Sequence, residues 1–285
     1  MAGLAAIASV PVRGTEEPSG FTVAPVAPGV FAAIADAGGE AGGNAGFVVG
    51  EDAVLVVDSF ATPRAARRLL AEIRRTTPLP VRWLVNTRLL PDHAGGDSVF
   101  ESAGAVIVAH EGPHATGASA TRPSVTFRDS LAIWPGKERV EVFSLPGYSG
   151  GSALVFVPGA NVLFGGDLLL KAHVPDLSDA DTQAWIAALD GIARRFPTAV
   201  WIPGHGSVAR PLDLRALRDY LVGLRSQVAR GLAEGASGAE LSAAILPRLL
   251  AQCRGWSGTE RQARNVAHVE TELTGRKGFA PAPTP

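Results

Sequence analysis

At 285 residues, with 46% of them hydrophobic, the chain can bury a sizeable core without disulfides or structural metals. A formal net charge of −1, without any long run of like charge, excludes a general electrostatic attraction to nucleic acid or to anionic membrane. The single cysteine, Cys253, excludes a disulfide framework and a cysteine-based zinc site within one chain, and it reads as a small buried hydrophobe on a C-terminal helix.

The start, "MAGLAAIASVPVRG", lacks a basic segment ahead of its apolar run and makes a poor signal peptide, and no run reaches the roughly 18 apolar residues of a membrane helix. The expectation is a cytoplasmic protein with a flexible segment over 1–20, one domain over 21–276 and a disordered tail over 277–285. "AGFVVG" and "AVLVVDSF" are short β-branched strands joined by the turn "EDA". A helix follows: Thr62 caps it, Pro63 suits its first turn, and Ala66, Leu69, Leu70 and Ile73 recur at helical spacing. Next come the strand "VRWLVN", the loop "NTRLLPDHAGGD", a short helix through "GGDSVFESAG" and the strand "AVIVAH". The second half repeats this style. "RVEVFSLPG", "SALVFVPG" and "NVLFGGDLLL" read as strands, and "DADTQAWIAALDGIARRF" as a helix capped by Asp179 or Asp181, with Trp185, Ile186, Leu189 and Ile192 on one face. "AVWIPGHG" is one more buried strand, and the chain from "PLDLRALRDY" onward is helical. Strands in two groups, each followed by helices, predict two packed sheets with helices outside, a four-layer α/β arrangement.

The polar residues Asp58, Asp92, His93, Tyr148, Asp167 and His205 sit at predicted strand ends beside glycines, where α/β proteins usually build their sites. Two imidazoles and two carboxylates, His93, His205, Asp92 and Asp167, suit a borderline cation such as zinc, iron or manganese. No P-loop and no Gly-x-Ser-x-Gly elbow is present. His110 reads as a strand-end packing or hydrogen-bonding residue, His114 and His173 as loop histidines, and His268 as a surface or helix-packing residue; His173 has the further option of a compensating ligand or base, because it follows Asp167 closely.

"NTRLLPDHAGGD" resembles the signature N-T-H-x-H-x-D-H-x-G-G of the metallo-β-lactamase superfamily. "GGNAGFVVGEDAVLVVDSF", "LPGYSGGSALVFVPGANVLFGGDLL" and "VWIPGHG" resemble, in order, further motifs of that superfamily, and "NVAHVETELTG" resembles a common ending of its glyoxalase-II-like hydrolase branch. The resemblance implies an αββα sandwich with a dinuclear metal site at one edge and metal-assisted hydrolysis. Mapped residue by residue, it is selective. Where the family holds its first metal with three histidines, this chain has Arg88, Leu90 and Tyr148. The second metal's ligands, Asp92, His93 and His205, and the bridging Asp167 are all kept. Asp58 is implied to brace the backbone of the metal loop. Arg88 has no lone pair to give and Leu90 has no donor at all, so at most one divalent ion is expected.

Three readings remain open at this point. In the first, one zinc, iron or manganese ion on Asp92, His93, His205 and Asp167 serves a hydrolase of an ester, thioester or lactone, with Arg88 and Tyr148 donating to the developing oxyanion. In the second, a metal-free enzyme uses Arg88 in the cation's place, paired with Asp92 or Asp167, together with Tyr148 and with His93 or His205 as a general base, for proton transfer, elimination, cyclisation or slow hydrolysis. In the third, the pocket is a remnant and the protein binds a small molecule or serves as a scaffold.

Overall fold

A computed structural model describes residues 20–112 and 122–275. The expected flexible start (1–20, Gly20 apart), the tail 277–285 and His114 lie outside these residues. The first sheet opens with two antiparallel hairpins: β1 (Phe21–Ala27), β2 (Val30–Ala35), β3 (Ala45–Val49) and β4 (Val54–Val57). Helix α1 (Pro63–Thr76) then crosses to the parallel strand β5 (Val81–Val85). Its start is fixed as the sequence predicts: the Thr62 side chain accepts from Ala65 N at 3.1 Å, and Pro63 begins the first turn. Two short helices, α2 (Pro91–Ala94) and α3 (Asp97–Ser102), lead to β6 (Val106–His110), and β7 (Val125–Phe127) completes a seven-stranded sheet in the order of the chain.

The second sheet runs β8 (Ser130–Ile133), β9 (Val140–Ser144), β10 (Ala153–Val157) and β11 (Val162–Leu170). Helix α4 (Thr182–Arg195) then carries the chain to β12 (Val200–His205), which pairs in parallel with β11. The helices α5 (Pro211–Ala233), α6 (Gly238–Gln252) and α7 (Gln262–Thr274) close the chain. Of the two candidate caps of α4, Asp181 serves, accepting from Ala184 N at 2.8 Å.

Alternation along the strands sorts the core into layers. On β4, Leu55 and Val57 face the second sheet with Val85, Val108, Val142, Val155 and Phe164, while Val54 and Val56 pack with Leu69, Ile73 and Phe100 of the outer helices. Beyond the second sheet, Leu154, Leu163 and Trp201 pack with Trp185, Leu217, Leu221, Leu249 and the buried Cys253. These layers are the expected four-layer αββα sandwich, in which fully buried strands read as continuous apolar runs. The short strands β7 and β8 and the single turn of α2 were not anticipated. Among the described residues no helix is long and apolar enough to cross a membrane.

Candidate metal centre at the sheet edge

The ends of β4, β5 and β12, a kink in β11 and the loop before β10 converge at one edge of the sandwich. Asp58, directly after β4, takes a left-handed φ of 60°. Its Oδ1 accepts from Thr87 N at 2.7 Å and its Oδ2 from Thr87 Oγ1 at 2.7 Å, so it braces the loop after β5 as expected. It does more than that, because Oδ2 also lies 3.0 Å from Nδ1 of the fully buried His93. The loop is further pinned by buried Asp97, whose Oδ1 accepts from Ser59 Oγ and from Asn86 Nδ2. Asp167 is turned toward the same point where β11 shifts register at Gly166. Gly166 has φ +48°, and a Cβ there would stand 2.3 Å from Thr87 Oγ1, so the close approach of the two loops requires glycine.

Four of the sequence-predicted groups meet here. His93 Nε2 lies 3.1 Å from Asp167 Oδ1 and 3.7 Å from Asp92 Oδ2, and His205 Nε2 lies 3.2 Å from Asp92 Oδ2 and 3.4 Å from Asp167 Oδ1. The four donor atoms all fall within 4.8 Å of one another. Donor atoms roughly 2.1 Å from a tetrahedral zinc stand about 3.4 Å apart. The donor set therefore fits one divalent ion, and Asp58 on Nδ1 supplies the carboxylate that commonly orients a ligating histidine.

Arg88 points inward. Its Nη1 donates to Asp167 Oδ2 at 3.0 Å, its guanidinium carbon lies 4.4 Å from the centroid of the Tyr148 ring, and its side chain is 8% exposed. Tyr148 in turn packs edge-on against Trp185. Leu90 is half-buried at the start of α2 and offers the site only its backbone carbonyl, which accepts from His93 N and Ala94 N. The opening to solvent lies on the side of Asp92 and His205, whose side chains are 32% and 17% exposed.

The charges hold one another. Burial works against the charged forms of Arg88, Asp167 and His93. Yet Asp167, Tyr148 and Asp92 raise the Arg88 guanidinium above its ordinary value, and the carboxylates of Asp167, Asp92 and Asp58 hold the His93 imidazole well above its own. Asp167 is likewise burdened by burial, but His93, His205 and Arg88 together hold it well below the usual carboxylate range. Burial and the Asp167 charge push Tyr148 well above the ordinary phenol value despite Arg88, which keeps its hydroxyl protonated.

His173 was expected as a loop histidine, and the structure brings it to the site. Its ring stacks on His205, with centroids 4.5 Å apart and planes 13° apart. Burial, with His205 and Arg261 nearby, lowers its pKa to about 4. The only sequence signal was its closeness to Asp167; its partners Ser257 and Arg261 are remote in the chain. His110 fills its predicted role, joining Arg128 O and Gly112 N at the end of β6. His268 is buried in helix packing, 2.9 Å from Ala180 O.

Comparison with known proteins agrees with this architecture. Among curated proteins, the chain is 23% identical over 254 residues to a linear primary-alkylsulfatase of Pseudomonas sp. (strain ATCC 19151), covering 67% of this chain and 47% of that protein. It is 34% identical over 89 residues to a metallo-beta-lactamase type 2 of Bacteroides fragilis, covering 30% of this chain and 36% of that one. The chain thus spans less than half the length of these two relatives. Among solved structures, a metallo-beta-lactamase from Pontibacter korlensis superposes with a TM-score of 0.63 at 23% identity, covering 71% of this chain and 99% of that one. The DIM-1 metallo-beta-lactamase superposes at 0.60 and 18% identity, covering 71% and 97%. At these identities the likeness shows the fold. The family model described as the metallo-beta-lactamase superfamily matches residues 38–205. A match running from before β3 to the last residue of β12 takes in more than half of the chain and both sheets at the site edge, and with it the chain belongs to the metallo-beta-lactamase superfamily.

Proposed function

We propose that the protein is a small-molecule hydrolase with a rebuilt metal centre: one divalent ion held by Asp92, His93, Asp167 and His205, and the Arg88 guanidinium standing where the family carries its other cation. The observation that carries this reading is the division of labour at Asp167. Its Oδ1 faces the two histidines, while its Oδ2 accepts from Arg88 at 3.0 Å. An ion in the four-donor set would act as a Lewis acid and lower the pKa of bound water.

The chain's own residues supply the rest. Arg88 contributes permanent positive charge in a site shielded from solvent, suited to a carbonyl oxygen on which negative charge develops. The ring of Tyr148 backs the guanidinium, and its protonated hydroxyl is a further donor for the same oxygen. Asp58 fixes His93 and the Thr87 backbone, so the donor set is organised before substrate arrives. Esters, thioesters and lactones share the carbonyl that this arrangement would polarise, and they are the proposed substrate class.

A specific observation also favours the metal-free reading. A doubly protonated His93, donating from Nδ1 to Asp58 and from Nε2 to Asp167, satisfies those atoms without an ion. Hydrolysis of an ester, thioester and lactone panel by zinc-loaded and chelator-stripped protein separates the two. Turnover lost on stripping, restored by zinc and absent in His205→Ala supports the metal centre. Turnover indifferent to chelation supports the metal-free enzyme. No turnover across the panel in either state contradicts the hydrolase reading.

A further inference from the structure

His93 and His205 are held in different ways. His93 is fixed through its ring nitrogen by Asp58, whereas the face of His205 is covered by the stacked ring of His173. His173 is itself held on both nitrogens. Arg261 Nη1 lies 2.7 Å from His173 Nε2, and a guanidinium can only donate, so Nε2 is an unprotonated acceptor. The proton of the neutral ring is therefore on Nδ1, which donates to Ser257 Oγ at 2.7 Å. This hydrogen-bond pattern also removes His173 as a base toward Ser257.

The backbone repeats the grip. Ser257 N donates to Ala172 O at 3.1 Å and Val174 N to Ser257 O at 2.9 Å, forming a parallel bridge between His173 and Ser257. Arg261 Nη1 also donates to Val174 O at 3.1 Å. Ala172 takes a φ of 50°, a costly posture for alanine that persists only where its surroundings enforce it. Gly258, at φ +74°, leaves room for the guanidinium, since a Cβ there would lie 2.5 Å from Arg261 Nη1 and 2.9 Å from Val174 O. Ser257, Gly258 and Arg261 lie between α6 and α7, beyond the residues 38–205 that match the family.

We propose that His173 is a positioning residue for His205, and that the Ser257–Arg261 segment clasps the loop after β11 so that the His173 ring locks the His205 ring toward Asp92 and Asp167. The C-terminal helices thereby complete the site. The clasp is a matter of ring orientation and holds whether the four-donor set carries an ion or a proton.

Two readouts on the full chain test it: ring C–H resonances of His205 by NMR in chelator-stripped protein, and zinc affinity by competition with a chromophoric chelator. His173→Ala should shift or broaden the His205 signals and weaken zinc about tenfold or more, the usual cost of losing a partner that orients a ligand. His173→Phe, which keeps a flat ring on His205, should recover most of both. Arg261→Met, which touches neither Asp92 nor His205, should move both in the same direction as His173→Ala. Unchanged His205 signals in folded His173→Ala and Arg261→Met overturn the proposal. If His173→Ala does not fold, Arg261→Met decides: shifted His205 signals with weakened zinc support the proposal, and unchanged His205 signals overturn it. If wild-type protein takes no zinc, the metal-centre reading fails on its own and the NMR comparison alone decides this one.

Discussion

Replacing Arg88 by methionine keeps much of the side chain's volume and removes its charge. The partner left behind is Asp167, 5% exposed and held as a carboxylate partly by that charge. Breaking a buried ion pair from one side costs about 3 to 5 kcal/mol. His93 and His205 still face Asp167, which argues for the lower end, about 3 kcal/mol. At about 2 to 4 °C per kcal/mol for a chain of this size, the thermal midpoint of chelator-stripped protein should fall by about 6 to 12 °C. Metal should act in the opposite sense. A cation held at Asp167 Oδ1 would share that carboxylate with the guanidinium at Oδ2; at a separation of roughly 5 Å and an effective dielectric near 20, two unit charges would repel by about 3 kcal/mol, and a divalent ion by about twice that. Arg88→Met should therefore bind zinc more tightly than wild type and gain more thermal stability from it. Calorimetric or dichroism melts with and without zinc measure both effects. A stripped variant that melts with wild type, or one that gains nothing extra from zinc, refutes the view that Arg88 occupies a cation's place.

Further outcomes follow from the same structure. In stripped protein the His93 pKa is raised well above 6.5, so its contribution to stability is complete below about 6.5 and is lost as pH rises through the folded value. Asp167 is the reverse case: its contribution is present above the unfolded carboxylate value and is lost only as pH falls through its depressed folded value. Melts across pH 6 to 9 should thus slope downward, and His93→Gln should flatten the slope; a slope unchanged in that variant contradicts the assignment. Thr62→Ala removes the α1 cap and should cost about 1 kcal/mol, with zinc content unchanged; a loss of zinc there would mean that the site edge depends on α1 more than its contacts indicate.

The fold was legible because its signals are local. β4 is an apolar run because both its faces are buried, and α1 announces itself through Thr62, Pro63 and the spacing of Leu69 and Ile73. Asp92, His93, Asp167 and His205 were legible as a set because each stands beside glycines in a motif that resembles the family's ligand set, although only His205 ends a strand: Asp92 and His93 lie on α2 and Asp167 lies within β11. The direction of Arg88 was not legible. An arginine after a strand faces solvent or pocket according to what waits there, and Asp167 waits 79 positions along the chain. His173 was legible only as a residue of the loop that follows Asp167; what turns its ring onto His205 are Ser257 and Arg261, brought close by the C-terminal helices. Strands β7 and β8 escaped notice because three or four residues with exposed faces carry too little pattern.

The central claim is that this centre holds one divalent ion, with Arg88 in place of a second. Metal analysis of wild-type protein purified without chelator and then equilibrated with excess zinc tests it most directly. The account predicts one tightly held zinc per chain, lost in His205→Ala. Two tightly held ions per chain, or none above background, would contradict it.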